Sequence, residues 1–161
     1  MTERYIGLMS GTSLDGVDGV LVEFANQDAL ISASTDLPLS AQNPSSSHSS
    51  SNIKLNVLAH VALPFAQDLK RALMALNTAA DNEIHRAALA ANALTAIYAK
   101  AVHTLLDTTQ LKAEQIRAIG AHGQTVRHQP GAHDGIGYTT QLNNPSLLAE
   151  RTGIEIGRAH V

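Results

Sequence analysis

Near the amino end, two apolar runs face each other across a loop too short to hold anything but a turn. Tyr5-Ile6-Gly7-Leu8-Met9 and Val17-Asp18-Gly19-Val20-Leu21-Val22-Glu23-Phe24 have the apolar and β-branched content of strands. Ser10-Gly11-Thr12-Ser13-Leu14-Asp15-Gly16 lies between them, so the simplest topology is an antiparallel hairpin. Two readings of that loop stay open. Exposed N–H groups at the glycines, with the hydroxyls of Ser10, Thr12 and Ser13, suit an anion-binding nest, and Asp15 and Asp18 suit a hydrated Mg²⁺. An ordinary turn would also use Gly, Ser and Asp. The Gly11-x-x-x-x-Gly16 spacing imitates a P-loop, but Val17 stands where that motif needs Lys, and a strand follows rather than a helix.

Beyond this hairpin a weaker strand is expected around Leu30 to Leu37. Residues 40–52 are Ser-rich, cannot bury apolar area, and read as a flexible surface insertion in which His48 is solvated. Pro64 to Leu76 carries Phe65, Leu69, Leu73 and Leu76 at helical spacing, with Pro64 suited to the first turn. Asn82 to Leu106 is an Ala-rich helix with Asp81 as N-cap and a stripe of Ile84, Leu89, Leu94, Ile97, Ala101 and Leu105. Lys112 to Ile116 reads as a short helix before a strand at Ile116 to Gly120. A loop over Pro130 to Gly137, a strand at Tyr138 to Leu142 and a helix from Asn144-Pro145 to about Gly153 complete the pattern. Strands, then helices, then strands again make a mixed α/β fold, with no internal repeat.

Composition narrows the function classes. The chain of 161 residues has a formal net charge of −3 and scattered basic residues, which gives no electrostatic footprint for nucleic acid or an anionic membrane. It contains no Cys, which excludes disulfides and thiolate metal sites. No apolar run is long enough to span a bilayer, and the first residues lack the pattern of a signal peptide, so a cytoplasmic location is expected.

A second chemical signal is Gly120-Ala-His122-Gly-Gln124-Thr-Val-Arg127-His128, which places a Gly-flanked His at a strand's carboxyl end, where α/β ligands gather. His122 and Gln124 suit sugar hydroxyls, and Arg127 suits a carboxylate or phosphate. The alternative is a hydrogen-bonded structural His122 with Arg127 as a surface charge. A zinc site from His122, His128 and His133 fits no familiar ligand spacing. A third signal, Gln141 through Gly153, runs a strand into a helix N-terminus, which either offers N–H groups to a ligand or is simply capped by Asn144.

Together, Tyr5 to Asp18, Gly120 to His128 and Leu147-Leu-Ala-Glu-Arg-Thr-Gly-Ile154 resemble the anhydro-N-acetylmuramic acid kinase family in composition, order and spacing. The resemblance implies an actin-like ATPase and sugar-kinase fold built on RNase-H-like lobes, of which residues 1–154 form the N-terminal lobe only: a mixed sheet flanked by helices. It implies phosphorylation of 1,6-anhydro-N-acetylmuramic acid by ATP, with hydrolytic ring opening to N-acetylmuramic acid 6-phosphate in peptidoglycan recycling. Gly11, Thr12, Ser13, Leu14, Asp15, Gly16, Val17 and Asp18 would then be the ATP-phosphate loop, and Asp15 would meet Mg²⁺ through water. His122 and Gln124 would line the sugar site, and the full-length enzyme would form a homodimer.

Asn143-Asn144 stands where the family commonly has Gly-Asp, which removes a carboxylate. No residue here matches the family's water-activating aspartate; the base and the second lobe are expected further along the chain, and the fragment alone should turn over little. An incomplete lobe should also expose apolar surface. Residues 155–161 are read as a non-family tail, because one codon choice for them contains the start of a common sequencing adapter. A genomic read across codon 155 tests that reading. The competing functions are a non-catalytic nucleotide- or sugar-binding module of the same fold and a different actin-like ATPase; His122-Gly-Gln124 speaks against the latter.

Overall fold

A computed structural model describes residues 2–26 and 53–157. The expected strand at Leu30 to Leu37, the Ser-rich stretch and residues 158–161 lie outside the described residues. The first apolar runs form β1 (Thr2–Met9) and β2 (Gly16–Asn26), paired antiparallel as the short loop requires. A long strand that the sequence pattern does not announce follows, β3 (Ile53–Pro64), antiparallel to β2. Pro64 therefore ends an edge strand rather than opening a helix, and an edge tolerates its missing N–H.

The helices come next. α1 (Gln67–Ala75) buries Leu69 and Leu73, and the flanking Phe65 and Leu76 are buried beside them, so the expected stripe holds although its boundary moves. α2 (Glu83–Thr109) starts at Asn82 in the left-handed region, φ 55°, with no side-chain cap bond, so Asp81 is not its cap. Arg86 instead donates to the Asp81 carbonyl at 3.3 Å and to the Ala75 carbonyl of α1 at 3.1 Å. A single 3₁₀ turn at Ala113–Gln115 leads into β4 (Ala118–Ala121). β5 (Gln124–Pro130) and β6 (Gly137–Leu142) form a separate antiparallel hairpin. α3 (Pro145–Thr152) ends on Gly153 at φ 69°, and β7 (Ile156–Gly157) closes the described chain. The residues after Ile154 lack a hydrophobic strand pattern, yet Ile156 and Gly157 pair with Ile119 and Gly120 of β4.

The main sheet has the order β3-β2-β1-β4-β7. β1, β4 and β7 run parallel, and β2 and β3 extend the sheet as an antiparallel meander. One face carries Ile6, Leu8, Val17 and Leu21 against Leu94, Tyr98, Val102 and Leu105 of α2. Gly19 brings that helix close: a Cβ there would stand 3.0 Å from Val61 and 3.2 Å from Leu105. α3 packs along α2, and the Asn144 amide donates to Asn92 Oδ1 at 2.8 Å. The carboxyl ends of β1 and β4 are adjacent, with the His122 N–H donating to the Leu8 carbonyl at 3.1 Å. The loops that follow these two strands therefore share one edge of the sheet.

Candidate functional site

Two of those loops build the candidate site. In the first, Leu14 takes φ 56°, and its N–H donates to the Gly11 carbonyl at 3.2 Å, closing a tight turn. Burial of the Leu14 side chain anchors this strained residue, since a non-glycine at positive φ needs compensating packing. The Phe65 N–H donates to the Asp15 carbonyl at 3.0 Å and ties the loop to the end of β3. At Gly16 an added Cβ would stand 2.2 Å from the Leu63 carbonyl oxygen, so the backbones meet where no side chain fits.

The expected phosphate-loop residues thus divide by direction. Thr12, Ser13, Asp15 and Asp18 are exposed, and Leu14 and Val17 belong to the core. The Asp15 carboxylate lies 3.4 Å from Lys70 Nζ and remains largely open to solvent. Asp18 lies 3.3 Å from His60 Nε2 across the β2–β3 pair. Among the described residues, no three His, Cys, Asp or Glu side chains come together as a metal cluster. An exposed carboxylate at a turn still fits a cation held through water, which needs few protein ligands.

Ser10 behaves otherwise than the hydroxyl donor toward phosphate that the sequence suggests. Its side chain is buried, and its Oγ lies 2.8 Å from the Tyr98 hydroxyl and 3.3 Å from the Gly123 carbonyl. A carbonyl only accepts, so Ser10 donates to Gly123 and accepts from Tyr98. Burial raises the Tyr98 pKa above its ordinary value.

The second loop turns at Gly123, φ 81°, where a Cβ would stand 2.6 Å from the Leu142 carbonyl oxygen. His122 is half-buried. Its Nδ1 lies 3.1 Å from the Gly123 carbonyl, and its Nε2 lies 3.0 Å from Gln141 Nε2. Gln141 was not singled out as a site residue in the sequence, because only the β5–β6 pairing returns it to His122. Gln124, expected beside the sugar, is 0% exposed. Its Nε2 donates to the Gly11 carbonyl at 3.1 Å and to the Thr125 carbonyl at 3.2 Å, so it ties the two loops together. Its Oε1 is buried without a partner among the described residues.

Arg127 neither reaches into solvent nor stands free for an anion. It pairs with Glu83 at 2.9 Å and donates to the Leu76 carbonyl at the end of α1 at 3.1 Å. Beside it, Thr12, Asn77, Thr125 and His128 help line a polar cavity of about 210 Å³. His128 Nδ1 lies 2.7 Å from Thr139 Oγ1, and His133 stacks on Tyr138, so the three histidines of the zinc alternative have separate partners. Asn144 caps α3, its Oδ1 accepting from the Leu147 N–H at 3.1 Å.

A family model described as anhydro-N-acetylmuramic acid kinase matches residues 3–50 and 45–158. Curated proteins of that name are similar over nearly the whole chain. The protein from Albidiferax ferrireducens is 51% identical over 97% of this chain and 33% of its own length. Those from Variovorax paradoxus and Ralstonia nicotianae are 49% and 47% identical over 96% and 97% of this chain. The chain spans about a third of the length of these relatives.

Proposed function

The chain belongs to the anhydro-N-acetylmuramic acid kinase family, and on that premise we propose that it supplies the phosphate-loop side of an ATP-dependent anhydro-sugar kinase. The observation that carries this reading is one shared edge. Exposed Thr12, Ser13 and Asp15 follow β1, His122 follows the parallel β4, and Gln124 bonds the first loop to the second. The sheet order, a three-strand meander continued by two parallel strands, supports the actin-like, RNase-H-like lobe.

In this reading the Thr12 and Ser13 hydroxyls and the loop backbone orient the phosphates of ATP. Asp15 would hold Mg²⁺ through water, and the ion would neutralise charge on the transferring phosphoryl group. His122 faces the sugar. The γ-phosphate goes to O6 of 1,6-anhydro-N-acetylmuramic acid, water adds at the anomeric carbon, and the 1,6 bond opens to give N-acetylmuramic acid 6-phosphate. The base that activates this water would belong to a part of the enzyme outside the third of its relatives' length that this chain spans. The 161-residue chain alone is accordingly expected to turn over little. The reaction belongs to cytoplasmic recycling of cell-wall fragments; among the described residues, no helix is long and apolar enough to cross a membrane.

Product analysis tests this. A chain extended to the length of its relatives, given ATP and the anhydro sugar in ¹⁸O-water, should yield a sugar 6-phosphate with one label at the anomeric hydroxyl. An unlabelled phosphate with the anhydro ring intact would refute the coupled ring opening.

A further inference from the structure

We propose that the His122 ring carries its proton on Nδ1, and that Tyr98 and Ser10 are positioning residues that fix it so. The ring then presents Nε2 as a hydrogen-bond acceptor, and the group it takes is an uncharged donor, a sugar hydroxyl or amide N–H, and not a phosphate oxygen. The choice of ligand rests on the kinase reading above; the tautomer does not.

The Gly123 carbonyl sets the position of the ring proton. It can only accept, so the His122 Nδ1 at 3.1 Å must carry a proton. The other ring nitrogen faces Gln141 Nε2 at 3.0 Å, which can only donate, so Nε2 must offer its lone pair. Both contacts select the same tautomer.

What fixes the carbonyl lies deeper. Gly123 sits at φ 81° under the Leu142 carbonyl, and its own oxygen accepts from Ser10 Oγ at 3.3 Å as well as from His122. Ser10 can donate to that oxygen because Tyr98, 0% exposed on α2, supplies the proton that Ser10 Oγ accepts at 2.8 Å. The series runs Tyr98 O–H to Ser10, Ser10 O–H to Gly123, His122 Nδ1–H to Gly123, and Gln141 N–H to His122. Its inner hydroxyls are buried, so water does not readily replace a lost partner. Its outer end is exposed at Gln141, which an incoming hydroxyl or amide could displace as donor to Nε2.

Long-range ¹H–¹⁵N correlation of the His122 ring in the 161-residue chain reads the tautomer directly. A single Nδ1–H form is expected; an Nε2–H form, or an even mixture, would overturn the assignment. Ser10→Ala and Tyr98→Phe should release the ring into a mixture, and Ser10→Thr, which keeps the hydroxyl, should restore the single form. Indistinguishable spectra for all three variants would remove Tyr98 and Ser10 as positioning residues. In the extended enzyme, Tyr98→Phe should raise KM for the sugar about fivefold while KM for ATP changes less than about twofold, the scale of one weakened hydrogen bond. Equal losses for both substrates would reduce Tyr98 to a structural role. An Nδ1–H tautomer without any sugar-dependent turnover would overturn the kinase reading, and the sugar as ligand with it.

Discussion

At Gly16 the loop and the end of β3 touch backbone to backbone, and the residue choice follows from space alone. Gly16→Ala would force Cβ against the Leu63 carbonyl, and we expect a loss of about 1–3 kcal/mol, the usual cost of overpacking. An unchanged denaturant midpoint would show that β3 does not seat there. Tyr98 carries a pH signature. Its folded pKa is raised above 10.0 by burial, so its contribution is fully present below pH 10.0 and is lost as pH rises through the folded value. Stability should therefore fall on the alkaline side, and Tyr98→Phe should flatten that fall; identical alkaline profiles for both proteins would contradict the burial argument. At this scale the sequence showed which residue types meet, but not which way they face. Ser10 and Thr12 read alike on paper. Alternation along β1 and the turn at Leu14 send one into the interior and the other to solvent. Gln124 and His122 likewise read as a pair, yet β5 begins at Gln124 and turns its side chain inward to Gly11.

The elements were mostly readable where a single period ran uninterrupted. β1, β2 and α3 follow their patterns, and the stripe of α1 is buried as expected. β3 was hidden for a physical reason: its register shifts by a bulge, with Leu21 opposite Ala59 but Val22 opposite Val57, so Leu58 breaks the alternation. As an edge strand it also keeps Lys54 and His60 exposed, and Pro64 at its end suggests a helix start. In α2 the abundance of Ala blurred the buried face. Leu94, Ala101 and Leu105 are buried as read, but Ile84 is 90% exposed and Leu89 lies mostly in solvent. Thermal or denaturant unfolding can separate the two faces. Leu105→Ala should cost about 2–5 kcal/mol, as deletions in a packed core do, and Ile84→Ala should be nearly neutral. Equal costs would mean that α2 is rotated from the orientation described.

For the molecule as a whole, the sheet presents two unlike faces. α2 covers one; on the other, the register aligns Tyr5 with Val22 and Val57, and Phe24 with Leu55. Val57 and Leu55 are more than half exposed, and β3 is an edge strand. Such surface favours association. Light scattering of the 161-residue chain should show concentration-dependent association that Val57→Lys reduces without changing the circular dichroism spectrum; equal scattering would place the sticky surface elsewhere. The family was legible in three separated segments because their types, order and spacing are unusual together. The geometry that joins them was not, because it depends on pairings between β1 and β4 and between β5 and β6 that no local pattern encodes.

We propose that the loop after β1 handles ATP phosphates beside a sugar site. Its most direct test is ADP release by a chain extended to the length of its relatives, with and without 1,6-anhydro-N-acetylmuramic acid, for the native sequence and for Asp15→Ala. Sugar-stimulated release is expected, falling on the order of 10²-fold in turnover with Asp15→Ala, the scale of misplaced reacting groups. Release indifferent to the sugar, or an Asp15→Ala enzyme as fast as the native one, would contradict it.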